Sequence, residues 1–224
     1  MKTKGYGKIE KISSGRYMYA AAPGGSGDAA ATCSLAGGRL AFILSDGMGK
    51  GMKAAAESRT VLTWLRKLLK AGMAPALAIK IVNRLLIEKH GREEMFATID
   101  LLIINKSTGR ANLYKMGSAA SYLLRDNWVR AIEPKALPVG IISRVSLSRK
   151  TMYLRPGDLI VMVSDGITEA DKADLGADWL KDFLIRNSRG KTLRFLAREI
   201  TQLAMDKCPL GSMDDMTTII IKVQ

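Results

Sequence analysis

The chain has 224 residues, 47% of them hydrophobic and 25% charged. This composition excludes a disordered, collagen-like or coiled-coil protein, and the length supports a single domain, residues 1–224, with a real core. Lys and Arg number 35 against 21 Asp and Glu, a net charge of +14, but the bases are scattered, with no basic tail and no run of five like charges, which argues against nucleic acid as a partner.

Arg16–Ala22 reads as a strand ended by the turn Pro23-Gly24-Gly25-Ser26-Gly27. Ala29–Leu35 and Arg39–Ser45 read as a hairpin about Gly37-Gly38, and Leu40–Leu44 is apolar throughout, as in a strand covered on both faces. After Asp46-Gly47-Met48-Gly49-Lys50-Gly51 the period becomes helical. Val61, Leu62, Leu65, Leu68 and Leu69 share a face, and Gly72 ends that helix. Pro75 opens a second helix, whose apolar face is read as Leu77, Ile81 and Leu85, with Glu88 next along it. The two helices are placed at Lys53–Lys70 and Ala74–Lys89. Strands resume at Ala97–Asn105, Arg110–Met116, Ser121–Arg125, Trp128–Ile132, Ser146–Leu154 and Leu159–Ser164, joined by short turns that imply antiparallel pairing. Ala177–Ile185 and Lys191–Met205 read as helices and Met216–Val223 as the last strand. Segregated strands and helices of this kind predict an α+β fold of antiparallel sheets covered by helices.

Acidic residues recur in one context. Asp46 and Asp165 each follow an apolar strand as Ser-Asp-Gly, Asp28 follows the glycine-rich turn, and Asp214-Asp215 precede the last strand. A carboxylate at a strand end has its backbone fixed by the sheet, and the glycine permits a sharp exit. Several such ends meeting at one edge would bring like charges together, and a hard divalent cation would relieve their repulsion. With oxygen ligands and no His or Cys motif, the expected ions are Mn²⁺ or Mg²⁺. Taken singly, an Asp-Gly pair only marks a turn.

Ser26-Gly27-Asp28, Ser45-Asp46-Gly47-Met48-Gly49-Lys50-Gly51, Ser164-Asp165-Gly166 and Asp214-Asp215-Met216-Thr217 resemble, in order and spacing, the metal-dependent protein phosphatases of the protein phosphatase 2C class. The Asp-Gly-Met-Gly form is most similar to the SpoIIE (stage II sporulation protein E) branch, as are Gly117-Ser118 and Leu137-Pro138-Val139-Gly140-Ile141. The resemblance implies an α-β-β-α sandwich with two ions at one edge. Asp46 would bridge both ions and the Gly47 carbonyl would bind one. Asp165 and Asp214 would bind the other, and Asp28 would act through water. Asp215, often Asn in relatives, shares the metal assignment with Asp214. A water acidified between the ions would attack phosphoserine or phosphothreonine. The implied substrate is a small regulatory phosphoprotein of the STAS type, an anti-anti-sigma or stressosome protein. In this branch the helix pair after the Asp-Gly-Met-Gly segment is thought to position the metal loop; the plainer expectation is a covering layer.

Departures from the family carry their own expectations. Met48 stands where some members have a proton-donating His. Ser118 stands where a third-metal Asp is common, so two ions are expected. No N-terminal phosphate-binding arginine matches, and Arg16 is the nearest candidate. Gly49-x-Gly51-x-x-Ala54 fits a loose dinucleotide pattern but lacks the acidic residue a second strand should supply. No GxxxxGK[ST] loop occurs. His90, beside Gly91, reads as a helix-end residue.

Two cysteines, Cys33 and Cys208, are too few for a disulfide framework or a four-cysteine site and are expected to be buried thiols. No segment is long and apolar enough to span a bilayer and no secretory signal is visible, so no membrane partner and a cytoplasmic location are expected. Homodimerisation is left open. The rival to an enzyme is a catalytically silent relative that docks a partner; the intact acidic set disfavours it.

Overall fold

The computed structural model describes residues 8–23, 25–49, 51–91, 95–133, 135–171, 179–209 and 212–224, and all of His90 but its side chain. Gly24 of the first turn, Lys50 of the glycine-rich segment, and Ala177 and Asp178 of a predicted helix lie outside these residues.

Two five-stranded antiparallel sheets stack face to face. One runs β1-β10-β9-β6-β7, built from Ile12–Tyr19, Met216–Val223, Leu159–Val163, Ser121–Arg125 and Trp128–Ile132. The other runs β2-β3-β4-β5-β8, from Asp28–Leu35, Arg39–Asp46, Ile99–Asn105, Arg110–Met116 and Ser148–Tyr153. Helices α1 (Gly51–Lys70) and α2 (Pro75–His90) belong to the second sheet's outer face. The short α3 (Asp165–Thr168), α4 (Trp179–Asn187) and α5 (Leu193–Lys207) belong to that of the first. This is the α-β-β-α sandwich that the family resemblance implies, and it agrees with the antiparallel sheets covered by helices expected from the order of elements.

The alternation of β3 builds two of the three apolar layers at once. Ala41 and Ile43 face the α1–α2 layer, where they meet Val61, Leu65, Val82 and Leu86. Phe42 and Leu44 face the other sheet and meet Ile160, Met162 and Ile219. A third layer joins Val161, Val163 and Ile220 to Leu196 and Ile200 of α5. Strands buried on both faces read as unbroken apolar runs, and Leu40–Leu44 was legible for that reason.

Two expectations are corrected. In α2 the buried stripe is Ala78, Ile79, Val82 and Leu86, whereas Leu77 and Leu85 are exposed and Ile81 is half-buried. The helix is apolar nearly all round, so two stripes one residue apart compete. The structure buries the one whose small Ala78 and β-branched residues pack against the sheet. Cys33 is buried, but Cys208, at the end of α5, is only partly so; both are free thiols. Among smaller shifts, β1 starts at Ile12 rather than Arg16 because it pairs with β10 along its whole length, Ile12 opposite Val223 to Tyr19 opposite Met216.

One polar group interrupts the apolar layer between the sheets. The Lys115 ammonium, 1% exposed, donates to Asp100 (2.7 Å) and to Ser121 Oγ (2.8 Å), and Ser121 Oγ donates to the same Asp100 oxygen (2.6 Å). Asp100 and Lys115 belong to one sheet and Ser121 to the other, so the trio ties the sheets together. Burial pushes the Lys115 ammonium below its usual pKa, and Asp100 opposes that shift.

Candidate metal centre

The first Ser-Asp-Gly closes β3, and Thr98 on the neighbouring chain segment holds it from three sides. Ser45 Oγ donates to the Thr98 carbonyl (2.7 Å), the Asp46 N–H donates to Thr98 Oγ1 (2.9 Å), and the Thr98 N–H donates to the Asp46 carbonyl (2.7 Å). Asp28 sits directly opposite Asp46 in the β2–β3 register. The next residue, Gly47, donates its N–H to the Gly27 carbonyl (3.2 Å). A Cβ on Gly47 would lie 2.1 Å from the Ala54 carbonyl oxygen in the first turns of α1, so only glycine fits.

The second Ser-Asp-Gly repeats the device on the other sheet. The Ser164 N–H donates to the Thr217 carbonyl (3.0 Å), and Ser164 Oγ accepts from the Thr217 N–H (2.8 Å). Asp165 then opens α3. Gly166 passes so near β10 that a Cβ would meet the Asp215 carbonyl oxygen at 2.3 Å. In both motifs the serine pins the strand end to its neighbour and the glycine lets the chain leave against packed backbone.

Asp214 and Asp215 are distinguished by their surroundings. Asp215 is buried, and both its oxygens are engaged by backbone: the Ala21 N–H donates to one (2.7 Å) and the Gly27 N–H to the other (2.6 Å). It staples the turn that delivers Asp28. Asp214 is half-buried, accepts the Asp215 N–H (2.9 Å), and acts electrostatically on both Asp46 and Asp165.

The electrostatics are those of crowded acids. Asp28 is raised from 3.8 to about 7, chiefly by burial, with Asp165 and Asp215 adding repulsion. The hydroxyls of Thr217 and Ser164 offset part of that rise, although neither Asp28 oxygen has a partner in hydrogen-bonding geometry. Asp46 is raised to about 9, first by burial and then by Asp28, Asp165, Asp214 and Asp215. Asp165 is also raised, by burial, Glu169 and Asp214. A cavity of about 10 Å³ lies among Leu44, Asp46, Thr98, Ser118, Ser164 and Asp165, which is roughly the space of one water. Among the described residues the buried hydroxyls of Ser118 and Thr217 also have no partner in hydrogen-bonding geometry.

These residues fit hard divalent cations. Every donor is oxygen, the buried Asp28 carboxylate has no partner in hydrogen-bonding geometry among the described residues, and the acids raise one another's pKa, a cost that bound positive charge removes. Among the described residues no three His, Cys, Asp or Glu side chains form a ready cage for one ion. An ion here would take few protein oxygens and keep water in its other positions, as Mg²⁺ commonly does. The structure thus brings Asp28, Asp46, Gly47, Asp165 and Asp214 to one edge, with Asp215 behind them.

Other candidates fall elsewhere. The Arg16 guanidinium donates to the Ala30 carbonyl (2.7 Å). Met48 is exposed, its N–H bonded to the Phe96 carbonyl (2.9 Å). Gly91 caps α2 through Ile87, and the His90 side chain is outside the described residues. Thr98 escaped the sequence reading, and Thr217 and Ser118 entered it only as members of motifs, without the positions they take here. Only the register of β4 and β10 against the two motifs could have found the threonines.

Residues 36–224 match the family model of stage II sporulation protein E (SpoIIE). The chain is 32% identical over 223 residues to stage II sporulation protein E of Bacillus subtilis (strain 168), covering 96% of this chain and 26% of that protein. It thus spans about a quarter of that relative's length. It is 28% identical over 130 residues to the phosphoserine phosphatase RsbU of the same organism, covering 57% of this chain and 38% of the relative. The solved structure of the PP2C phosphatase domain of SpoIIE from Bacillus subtilis, with a fragment of its regulatory domain, superposes with a TM-score of 0.84 at 29% identity, over 97% of this chain and 65% of that one. A sandwich of this topology, with paired Ser-Asp-Gly strand ends at one edge and similarity along nearly its whole length, belongs to the SpoIIE family.

Proposed function

We propose that residues 1–224 form one phosphatase domain that hydrolyses phosphoserine or phosphothreonine on a protein, using two Mn²⁺ or Mg²⁺ ions. The observation that carries this reading is the opposition of Asp28 and Asp46 across β2–β3, with Asp28 having no partner in hydrogen-bonding geometry among the described residues and Asp165 and Asp214 raising the Asp46 carboxyl. Similarity to a phosphoserine phosphatase supports the substrate chemistry.

In this reading Asp46 and the Gly47 carbonyl would serve one ion and Asp46, Asp165 and Asp214 the other, with water completing each set because no three of these carboxylates close on one point among the described residues, and Asp28 would contribute through water. Asp214, not Asp215, is the ligand of the pair, because both oxygens of Asp215 already serve the Ala21–Gly27 turn. The ions, when bound, acidify a water and neutralise charge on the phosphoryl oxygens. The chain's part is to hold carboxylates on two sheets at fixed separation: Thr98 fixes Asp46, and Ser164 with Thr217 fixes Asp165. Met48 offers no proton, so the leaving serine takes one from solvent. The proposed substrate is a small acidic phosphoprotein of the STAS type in the cytoplasm, to which a chain of charge +14 is electrostatically complementary.

Hydrolysis of p-nitrophenyl phosphate and of a phosphoserine peptide, with and without Mn²⁺, tests the reading. Turnover should require the ion, vanish with chelator, and fall about a thousandfold in Asp46→Ala. Turnover indifferent to both changes would refute it.

A further inference from the structure

The two sheets end on the same side, one at β7 and the other at β8, and each of these strands has one edge unpaired among the described strands. Between them opens a cavity of about 220 Å³ lined by Lys115, Glu133, Lys135, Ser148, Arg149 and Lys150, among others. Its floor is the Lys115 side chain, whose charge is answered by Asp100. Its rim is different. Lys135, Arg149 and Lys150 are exposed, and among the described residues none of them has an ion pair, while Glu133 is the one acid lining the cavity.

The catalytic reading uses none of these groups. Lys135 and Lys150 at this concavity, with Arg149 on the other face of the same edge strand, face a single carboxylate and keep an uncompensated positive field where low-dielectric walls focus it. The volume is below the roughly 300–1,000 Å³ of small-molecule sites and suits one acidic side chain at a time. The free edge of β8 beside it offers backbone N–H and C=O groups to an extended chain.

We infer that this open side of the sandwich docks an extended, acidic segment of a protein partner: an Asp or Glu side chain enters the cavity at Lys135 and Lys150, and the segment runs along the β8 edge past Arg149. The segment's assignment to the phosphoprotein substrate rests on the phosphatase reading; the binding does not.

The test uses the full chain and a fluorescein-labelled hexaglutamate peptide, read by anisotropy at low salt. The variant K135E/R149E/K150E is compared with K67E/K70E/K80E, which changes net charge equally at exposed lysines on α1 and α2. Wild-type protein should bind, the cavity variant should lose about tenfold or more in affinity, and the helix variant should lose less than about twofold. No binding by wild type, or equal losses in the two variants, would overturn the proposal. Thermal melts of both variants, expected to be cooperative as in wild type, check that each folds.

A second arm separates the two readings. With Mn²⁺, the cavity variant should keep wild-type turnover of p-nitrophenyl phosphate but show a raised KM, at unchanged kcat, for a phosphoserine peptide carrying a glutamate run. Unchanged KM for that peptide would count against docking. Failure of the wild-type protein to hydrolyse p-nitrophenyl phosphate would refute the phosphatase reading and leave the anisotropy result to decide the docking site alone.

Discussion

Asp46→Asn should abolish Mn²⁺-dependent turnover, a loss of about a thousandfold, while making the metal-free protein more stable at pH 8. The two effects have one origin. Asp46 is raised to about 9 by burial and by four neighbouring acids, and Asp28 to about 7 by burial. When a carboxyl's folded pKa lies above its unfolded one, the native state holds the proton longer. Stability from this source is complete below the unfolded value of about 3.9. It is lost as the pH rises through about 7 for Asp28 and about 9 for Asp46. Metal-free protein should therefore melt at progressively lower temperature from pH 4 to about 9, and Asn at position 46 should flatten much of that slope. The backbone bonds to Thr98 survive the change, so a loss of activity in Asp46→Asn reports the carboxylate rather than the strand. Added Mn²⁺ should raise the melting temperature of wild type by mass action and leave the variant unmoved. A flat pH dependence in metal-free wild type would contradict the crowding of these acids.

Gly47→Ala should be nearly as damaging to activity, through sterics. Its new methyl would sit 2.1 Å from the Ala54 oxygen and 2.8 Å from the Ala54 carbonyl carbon, both backbone atoms that cannot rotate away. Either α1 shifts or the Gly47 carbonyl turns, and each moves a proposed ion ligand. The expected result is a loss of about a hundredfold in turnover, since misplacement by about 1 Å is enough for that. The Mn²⁺ requirement should move to higher concentration, read as the half-saturating metal concentration in the phosphatase assay. Normal metal affinity in a folded Gly47→Ala protein would show that this carbonyl is not a ligand.

Much of this architecture was legible because two kinds of signal coincide. Strands covered on both faces leave apolar runs such as Leu40–Leu44 and Leu159–Val163, and the Ser-Asp-Gly after each run marks where the chain leaves the sheet. What escaped depends on partners distant in sequence. The face of α2 could not be chosen because Leu77, Ile81 and Leu85 satisfy helical periodicity as well as Ala78, Val82 and Leu86; only the sheet beneath decides. The short α3 carries no apolar period of its own and exists because Asp165 begins a turn closed by the Ile167 N–H, which donates to the Ser164 carbonyl (3.1 Å). The division of labour between Asp214 and Asp215 lies in two backbone donors nearly the whole chain away, at Ala21 and Gly27. The Asp100–Lys115–Ser121 link was invisible for the same reason: its members are spread over three strands of two sheets.

The central claim is that carboxylates from both sheets jointly hold a pair of cations, and direct counting of bound Mn²⁺ tests it. Electron paramagnetic resonance of free Mn²⁺ during titration of the chelator-stripped protein should give two sites in wild type, with both lost or severely weakened in Asp46→Ala. Wild-type protein that binds no Mn²⁺ in this titration, or an Asp46→Ala variant that binds it as wild type does, would contradict the account.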